Sequence, residues 1–226
     1  MNLIIDIGNT NTKIAVFEHD NIIEIDLFNP KNTIKAINKF LRKYKAINRA
    51  IISNVSQTNN STLINKIPLD NVYILSDKLK LPFNNMYKSK ETLGSDRKAL
   101  VSAAIKHYPN NNVLIIDAGT CITTDFIDAS GNYHGGSISP GINMRYGVLS
   151  EKTSNLPKLE RKYPLHIIGF STEESIHSGV INGIVHEIRE YISEYQKQYK
   201  NINIILTGGD SDFLSKPLKI SIFANR

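Results

Sequence analysis

Two aspartates stand at the same position in two similar segments of the sequence. Asp6 ends the apolar run of LIIDIGNT, and Asp117 ends the apolar run of LIIDAGTC. In both segments a glycine follows two positions later, and glycine allows a backbone to approach a ligand closely. Successive backbone N–H groups in such a turn can bind an anion, while a carboxylate beside phosphate requires a cation between them. The two segments therefore predict a pair of turns that hold a polyphosphate.

Side chains that can donate hydrogen bonds surround both predicted turns. The hydroxyl and amide donors are Asn9, Thr10, Asn11 and Thr12 in the first segment and Thr120 and Thr123 in the second. Lys13 adds a positive charge to the first turn. An ordinary β-turn is the alternative explanation of one Asp-x-Gly segment, but repetition at matching places favours a common binding role. Neither G-x-x-x-x-G-K-[ST] nor a strand followed by G-x-G-x-x-G occurs, so a P-loop and a dinucleotide site are not supported.

The elements that must position these turns alternate between strand and helix. Strands are predicted at 2–7, 12–18, 21–28, 50–53 and 72–75 in the first half and at 113–117, 122–128, 132–139 and 203–206 in the second. Helices are predicted at 32–45, at 95–107 with Ser95 as the N-cap, after Pro140, and at 171–195 behind a Ser171–Glu174 capping box. The repeated order predicts an α/β protein made of two duplicated halves, 1–112 and 113–226.

Composition narrows the possible classes of protein. The 226 residues are 41% hydrophobic and 21% charged, which is ordinary for a globular protein. No apolar run reaches the roughly 18 residues of a membrane span, and the first apolar run is too short for a signal peptide. The single Cys121 fits a reducing, cytoplasmic setting. The net charge of +6 suits either an anionic partner or a lysine-rich solvated surface, and no nucleic-acid-binding motif or membrane partner is predicted.

Three of these segments together carry a resemblance to a known superfamily. DIGNTNTK, DAGT and the late TGGD resemble the ATPase domain shared by sugar kinases, heat-shock chaperones and actin. The resemblance implies two ribonuclease-H-like halves with ATP in the cleft between them. One turn from each half would then hold the phosphates, which would explain the repetition.

Further segments narrow the resemblance to one family. LGSDRKALVSAA at 93–104, HGGSISPGI at 134–142 and GFSTEESIHSGVINGI at 169–184 resemble the type III pantothenate kinases. The similarity runs in order along nearly the whole chain. It implies phosphorylation of pantothenate by ATP, the first step of coenzyme A biosynthesis. A kinase of this type needs a carboxylate that accepts the proton of the substrate hydroxyl.

The resemblance also implies a role for each matching residue. Asp96 matches the catalytic base, although an aspartate and an exposed arginine at a helix start are common without any such role. The positions matching the ATP site, with Mg²⁺, are Asp6, Ile7, Gly8, Asn9, Thr10, Asn11, Thr12, Lys13 and Thr120. Those matching the pantothenate site are Tyr87, Gly94, Ser95, Asp96, Arg97 and Thr172. Asp117 matches the ligand of an activating monovalent cation, potassium or ammonium, and Gly135–Gly136 with Pro140–Gly141 match a nucleotide-side loop.

The family resemblance implies a homodimer in which the partner subunit completes the pantothenate site. Three other functions are compatible with parts of the sequence. Another small-molecule kinase of the superfamily would lack the Gly94–Arg97 motif, and a transcription activator related to the family would lack the catalytic aspartates. An actin-like or chaperone ATPase would carry added subdomains for which this chain is too short.

Overall fold

The structure, a computed structural model, describes residues 1–56, 59–76 and 78–219. The chain divides into two compact units. The first comprises residues 1–82 and 88–102, and the second comprises 83–87 and the described part of 103–226. Each unit contains one five-stranded sheet. The predicted halves 1–112 and 113–226 remain a prediction about domain organisation.

The first unit is built on a mixed sheet with strand order β3-β2-β1-β4-β5. Its strands are β1 (Asn2–Ile7), β2 (Thr12–Glu18), β3 (Asn21–Phe28), β4 (Arg49–Asn54) and β5 (Asn71–Ile74). Its helices are α1 (Thr33–Lys43) and α2 (Asn60–Ile64), with short 3-10 turns at Pro30–Asn32 and Lys90–Thr92. The helix α3 (Ser95–His107) begins in this unit and ends in the second.

Alternation of apolar residues places the core of the first unit on one face of the sheet. Leu3, Ile5 and Ile7 of β1 are buried together with Ile37 and Phe40 of α1. Because successive strand side chains point to opposite faces, Asp6 lies on the other face. The apolar face therefore fixes the register that brings Asp6 to the end of the strand.

The second unit repeats the arrangement with the order β10-β7-β8-β9-β6. Its strands are β6 (Asn84–Asn85), β7 (Asn112–Ala118), β8 (Cys121–Ile127), β9 (Asn132–Pro140) and β10 (Ile202–Thr207). Its helices are α4 (Ile142–Lys152), α5 (Thr172–His177), α6 (Gly183–Gln198) and α7 (Ser211–Leu218). A π-helical segment, Ser178–Asn182, joins α5 to α6. The order β9-β8-β7-β10 matches β3-β2-β1-β4, as duplication requires.

Two predicted helix starts are wrong in detail. Ser95 is the first residue of α3 and not its N-cap. The Lys98 N–H donates to the Gly94 carbonyl at 3.1 Å, so the first helical hydrogen bond is accepted by Gly94, the residue before Ser95. Pro140 does not begin a helix either; it ends β9, and Gly141 is the N-cap of α4. The capping prediction at Ser171 is confirmed, since its hydroxyl accepts from the Glu174 N–H at 3.2 Å. Among the described residues, no helix is long and apolar enough to cross a membrane.

Candidate active site

The first predicted phosphate turn joins β1 to β2. The Gly8 N–H donates to the Asn11 carbonyl at 3.0 Å, which closes the turn. A Cβ on residue 8 would lie 3.2 Å from that carbonyl oxygen, so glycine suits the tight bend. Asn9, Thr10 and Asn11 are exposed at its tip, where they can reach a ligand.

Asp6 lies beside a lysine and a serine on the neighbouring strands. It pairs in register with Lys13 on β2 and with Ser53 on β4, so the three side chains share one face of the sheet. Burial raises the pKa of the Asp6 carboxyl, while the hydrogen bond from Ser53 and the charge of Lys13 lower it and the charge of Asp96 raises it. The two carboxylates of the first unit therefore lie close enough to interact.

A chain of hydroxyl groups connects Asp6 to the start of α3. Ser53 donates to the Asp6 carboxylate, and the Ser53 and Ser95 hydroxyl oxygens are 3.1 Å apart. The Asn54 N–H donates to the Ser95 oxygen at 3.0 Å. Because the Ser53 proton goes to Asp6, Ser95 must donate to Ser53. The prediction that Ser95 caps its own helix thus fails for a physical reason: its hydroxyl is bound to β4.

The start of α3 holds Asp96 in a defined conformation. The Arg97 N–H donates to Asp96 Oδ1 at 2.8 Å. A Cβ on Gly94 would lie 2.4 Å from the same oxygen, so a larger residue there would displace the carboxylate. Asp96 is half-buried and Arg97 is only 5% exposed. A carboxylate that reached this guanidinium would be desolvated with it, which strengthens the attraction between the two charges.

The side chain of Thr12 points away from the turn. It is fully buried, and its hydroxyl oxygen is 2.8 Å from that of Thr33. Thr33 itself donates to the Pro30 carbonyl at 2.8 Å, so Thr12 is the donor to Thr33. In the described structure this hydroxyl therefore forms a hydrogen bond that joins β2 to α1.

The second turn joins β7 to β8 in the other unit. Asp117 pairs in register with Thr123 on β8 and with Thr207 on β10. The Gly119 N–H donates to the Cys121 carbonyl at 2.9 Å, and Thr120 is exposed at the tip. The turn therefore repeats the first in backbone design.

A glycine after β10 packs directly against Asp117. Gly208 has φ of +95°, and a Cβ there would lie 2.3 Å from Asp117 Oδ1 and 2.4 Å from the Ala118 carbonyl oxygen. Only glycine fits this position, both for its backbone conformation and for the space available. The close approach gathers carboxylate and carbonyl oxygens, the ligands that hard cations prefer.

The predicted nucleotide-side loop lies against the second turn. The Gly141 N–H donates to the Thr120 carbonyl at 3.1 Å. A Cβ on Gly141 would lie 2.3 Å from the Gly119 carbonyl oxygen and 2.4 Å from that of Thr120. The Pro140–Gly141 connection and the second turn are therefore in direct backbone contact.

Tyr87 packs over the glycine pair of β9. Gly135 has φ of +105°, and a Cβ there would lie 2.9 Å from the Tyr87 ring. The ring also packs on Tyr133, with ring centroids 6.1 Å apart. Tyr133 is fully buried and donates to Asp125 Oδ1 at 2.6 Å. The position of this predicted substrate residue is thus defined by buried aromatic and polar contacts.

Thr172 lines an apolar cavity of about 570 Å³ in the second unit. Met144, Val148, Leu149 and Ile176 are among its other wall residues. Exposed apolar side chains precede Thr172 along the chain: Leu165 is 85% exposed, Ile167 65%, Ile168 66% and Phe170 78%. Large apolar side chains exposed together in one segment make that segment a candidate for a binding interface.

The predicted residues therefore form two groups. Asp6 to Lys13, Gly94, Ser95, Asp96 and Arg97 lie in the first unit, and Tyr87, Asp117, Thr120 and Thr172 lie in the second. Sequence reasoning gave Ser53 no role and noted Thr207 and Gly208 only as part of TGGD, without a role for either residue. A usable signal was present, because a hydroxyl residue lies at the end of β4 and of β10, and neighbouring parallel strands bring such ends to one edge.

The donor set of the first unit fits the Mg²⁺ that accompanies ATP in kinases. Mg²⁺ is commonly bound through one or two carboxylates with substrate phosphates and water. Asp6 and Asp96 supply two interacting carboxylates. Within the described residues, no group of three or more His, Cys, Asp or Glu side chains could hold a metal by itself. The arrangement suits a cation that arrives with the nucleotide.

Comparison with solved structures identifies the fold. A Campylobacter jejuni protein assigned to the Baf family of transcriptional activators matches with a TM-score of 0.64 and 24% identity, covering 99% of this chain and 91% of the other. A Listeria monocytogenes protein assigned as an N-acetylmannosamine kinase matches with a TM-score of 0.56 and 14% identity, covering 98% and 91%. The predicted α/β fold of duplicated halves, that of actin-like ATPases and sugar kinases, is confirmed.

Sequence comparison identifies the family within this class. The profile of the type III pantothenate kinases matches residues 2–194. The type III pantothenate kinase of Christiangramia forsetii is 46% identical over 226 residues, covering 100% of this chain and 93% of that protein. That of Flavobacterium johnsoniae is 43% identical over 225 residues, covering 100% and 92%. The chain belongs to the type III pantothenate kinase family.

Proposed function

We propose that this chain transfers the γ-phosphoryl group of ATP to the 4′-hydroxyl of pantothenate. The products are ADP and 4′-phosphopantothenate, and the reaction opens coenzyme A biosynthesis. The observation that carries the proposal is the family match over most of the chain, together with two interacting carboxylates, Asp6 and Asp96, in one unit.

Asp96 acts as the base in this proposal. Its carboxylate accepts the proton of the pantothenate hydroxyl as the oxygen attacks the γ-phosphorus in line, and the bond to the β-phosphate oxygen breaks. The bond from the Arg97 N–H orients Asp96 Oδ1, and in this proposal Oδ2 accepts the proton. No phosphoenzyme is required, because the motif supplies a base without a separate nucleophile.

Arg97 and the first turn bind the two substrates. The guanidinium of Arg97 pairs with the pantothenate carboxylate. Its planar shape allows two parallel hydrogen bonds to the two carboxylate oxygens. Gly94 and Ser95 shape the same wall, with Tyr87 and Thr172 as the remaining pantothenate contacts. The exposed residues Asn9, Thr10 and Asn11 of the first turn and the ammonium of Lys13 hold the phosphates, while the Gly8 N–H closes the turn. Thr120 contributes from the second turn. When bound, Mg²⁺ neutralises charge on the transferring phosphoryl group.

Asp117 binds a monovalent cation in this proposal. The closeness of Gly208 to both Asp117 Oδ1 and the Ala118 carbonyl oxygen supports an oxygen-lined site. Potassium and ammonium are the candidates. Such an ion would add positive charge beside the second turn. The residue opposite Asp117 is the uncharged Thr123, whereas the residue opposite Asp6 is Lys13.

We also propose a homodimer in the cytoplasm, with the partner subunit completing the pantothenate site. Support comes from the exposed apolar segment at Leu165 to Phe170, which leads directly into Thr172. Light scattering tests this: the wild type should have twice the mass of one chain, and Phe170→Glu should shift it toward the monomer and raise the KM for pantothenate. A monomeric wild type at assay concentration would contradict the dimer.

The decisive experiment is ADP release from MgATP with and without pantothenate, in potassium and in sodium buffer. Release should require pantothenate and should be faster in potassium. Mass spectrometry of the product should show a single added phosphate. A panel of other small alcohols tests the alternative kinases, and the proposal fails if one of them is preferred or if pantothenate has no effect on a protein that binds ATP.

A further inference from the structure

One arginine connects the nucleotide-side loop to the body of the second unit. The backbone N–H of Arg145 donates to the Gly141 carbonyl at 3.0 Å, within the first turn of α4. Its side-chain Nε donates to the Pro140 carbonyl at 2.8 Å. Arg145 therefore holds both residues of the Pro140–Gly141 connection, one through its backbone and one through its side chain.

A glutamate on α6 completes this arrangement. Glu187 Oε2 accepts from Arg145 Nη2 at 2.5 Å, and Glu187 Oε1 accepts from the Ser139 hydroxyl at 2.5 Å. Arg145 Nη2 also lies 3.3 Å from the Ser139 oxygen. The two charged side chains are 22% and 26% exposed, so water screens them less than a surface pair.

The anchor of the glutamate is rigid. Ile184 and Ile188, which flank Glu187 on α6, are both fully buried in the core of the second unit. A packed helix of this kind holds its side chains in one arrangement. The end of β9, the Pro140–Gly141 connection and the start of α4 are thereby fixed to the core.

The Pro140–Gly141 connection is also in direct contact with the second phosphate turn. Gly141 donates to the Thr120 carbonyl at 3.1 Å and approaches the Gly119 carbonyl so closely that no Cβ fits between them. A displacement of Gly141 would therefore move the turn. Small displacements of groups that orient a substrate have large kinetic effects.

We infer that Arg145 and Glu187 are positioning residues for the nucleotide: they hold the second phosphate turn in its binding geometry through Pro140 and Gly141. The inference rests on the proposed function, specifically on the contact between Thr120 and ATP. Neither side chain is among the residues that sequence motifs predict to touch a substrate. Arg145 also lines the cavity that contains Thr172, whereas Glu187 does not. Replacement of Glu187 should therefore affect ATP and ADP and leave pantothenate binding unchanged.

The test uses the full chain with Arg145→Ala, Arg145→Lys and Glu187→Gln. Each variant is measured for the Kd of ADP by calorimetry, for the KM of ATP and of pantothenate, and for Tm. Arg145→Ala and Glu187→Gln should each raise the ADP Kd and the ATP KM about tenfold, and Glu187→Gln should leave the pantothenate KM unchanged. Arg145→Lys should recover part of the loss, because an ammonium can still reach Glu187.

A matched control exists on the same helix. Glu194 of α6 forms an ion pair with Lys197 at 2.6 Å on the exposed face, so Glu194→Gln should change none of these values. The double variant Arg145→Ala with Glu187→Gln should be no worse than the single variants, since both remove one shared interaction.

Each remaining result decides the matter. Unchanged nucleotide affinity in folded Glu187→Gln, or an equal rise of both KM values, overturns the inference. If Arg145→Ala does not fold, Glu187→Gln and Arg145→Lys still decide it. A wild type that binds ADP but ignores pantothenate refutes the proposed function alone, because the ADP titration still tests the positioning role. A wild type that binds no ADP overturns both.

Discussion

The two turns that we propose to hold the phosphates share one backbone design and differ in the charge beside the aspartate. Asp6 and Asp117 both precede a turn closed by a glycine N–H, and both have a hydroxyl residue beside them on the next parallel strand, Ser53 and Thr207. The antiparallel neighbour is different. Lys13 lies opposite Asp6, whereas Thr123 lies opposite Asp117. The two turns therefore have the same strand pairing around the aspartate and different charges opposite it.

From this difference we infer that the two halves have different roles in catalysis. The first half carries the ammonium group of Lys13 beside the carboxylate of Asp6, and Asp96 and Arg97 follow on α3. In our proposal these charged groups serve phosphoryl transfer. The second half offers oxygens around Asp117 and Gly208, which suit a cation taken from solution. We therefore expect the first half to perform the chemistry, while both turns hold the phosphates of the nucleotide.

The largest effect is expected for Asp96→Asn. If the first half performs the chemistry, loss of the base should lower kcat by about 10²–10⁴-fold and leave the ADP Kd nearly unchanged. Steady-state kinetics with calorimetry measure both quantities. Asp26→Asn, which removes an exposed carboxylate paired with Lys39 at 3.5 Å in the same unit, serves as the control. Unchanged turnover in Asp96→Asn would remove Asp96 from its role.

The second prediction converts the first turn into a copy of the second. Lys13→Thr places a threonine opposite Asp6, as Thr123 stands opposite Asp117. Loss of a charge-assisted hydrogen bond to phosphate should lower kcat/KM for ATP about 10- to 100-fold. Lys39→Thr, an exposed lysine of the same unit, should have no such effect. Equal effects of the two substitutions would show that Lys13 acts only through general surface charge.

The third prediction concerns the cation at the second turn. Asp117→Asn should abolish the difference between potassium and sodium buffers and lower kcat/KM in potassium about tenfold. The measurement is a potassium titration at constant ionic strength. Retained potassium activation in this variant would place the cation elsewhere.

A geometric variant sharpens this third prediction without changing charge. Gly208→Ala puts a methyl group 2.3 Å from Asp117 Oδ1 at φ of +95°, whereas Gly131→Ala adds one at φ of +80° with no atom within 4 Å. Both should destabilise the fold by about 1 kcal/mol for the backbone conformation alone. Only Gly208→Ala should also weaken potassium activation. An equal loss of potassium activation in both variants would show that Gly208 matters only for the stability of the fold.

Hydrophobic periodicity and turn chemistry could predict much of this molecule. The repeated strand–turn–strand order follows from apolar runs such as Leu3 to Ile7, and the cap at Ser171 follows from local hydrogen bonding. Side-chain partners across strands could not be predicted in this way, since they depend on the register between distant segments. Ser95 illustrates this, because Ser53 and Asn54 of β4 compete with the helix cap for its hydroxyl.

The smallest effect is a gain of stability in Asp6→Asn. Burial raises the pKa of this carboxyl above its ordinary 3.8, so the folded protein binds its proton more tightly than the unfolded chain. Stability therefore falls as pH rises from the unfolded toward the folded pKa, and the cost is present at higher pH. Asparagine carries no charge, and its carbonyl oxygen can still accept from Ser53. Asp6→Asn should gain about 0.5–2 kcal/mol near neutral pH and should lose activity.

Urea unfolding of both proteins over a pH series measures this gain. The difference between Asp6→Asn and the wild type should shrink as pH falls and should disappear below 3.8, where the carboxyl is protonated in the unfolded chain as well. Glu24→Gln supplies the opposite sign in the same unit. Hydrogen bonds from Lys43 and Tyr44 lower the pKa of Glu24, so its removal should cost stability at neutral pH, and that cost should fade in acid. A loss of stability in Asp6→Asn would mean that its contacts with Ser53 and Lys13 outweigh burial, and that the first turn, unlike a typical active site, is built for stability as well as for binding.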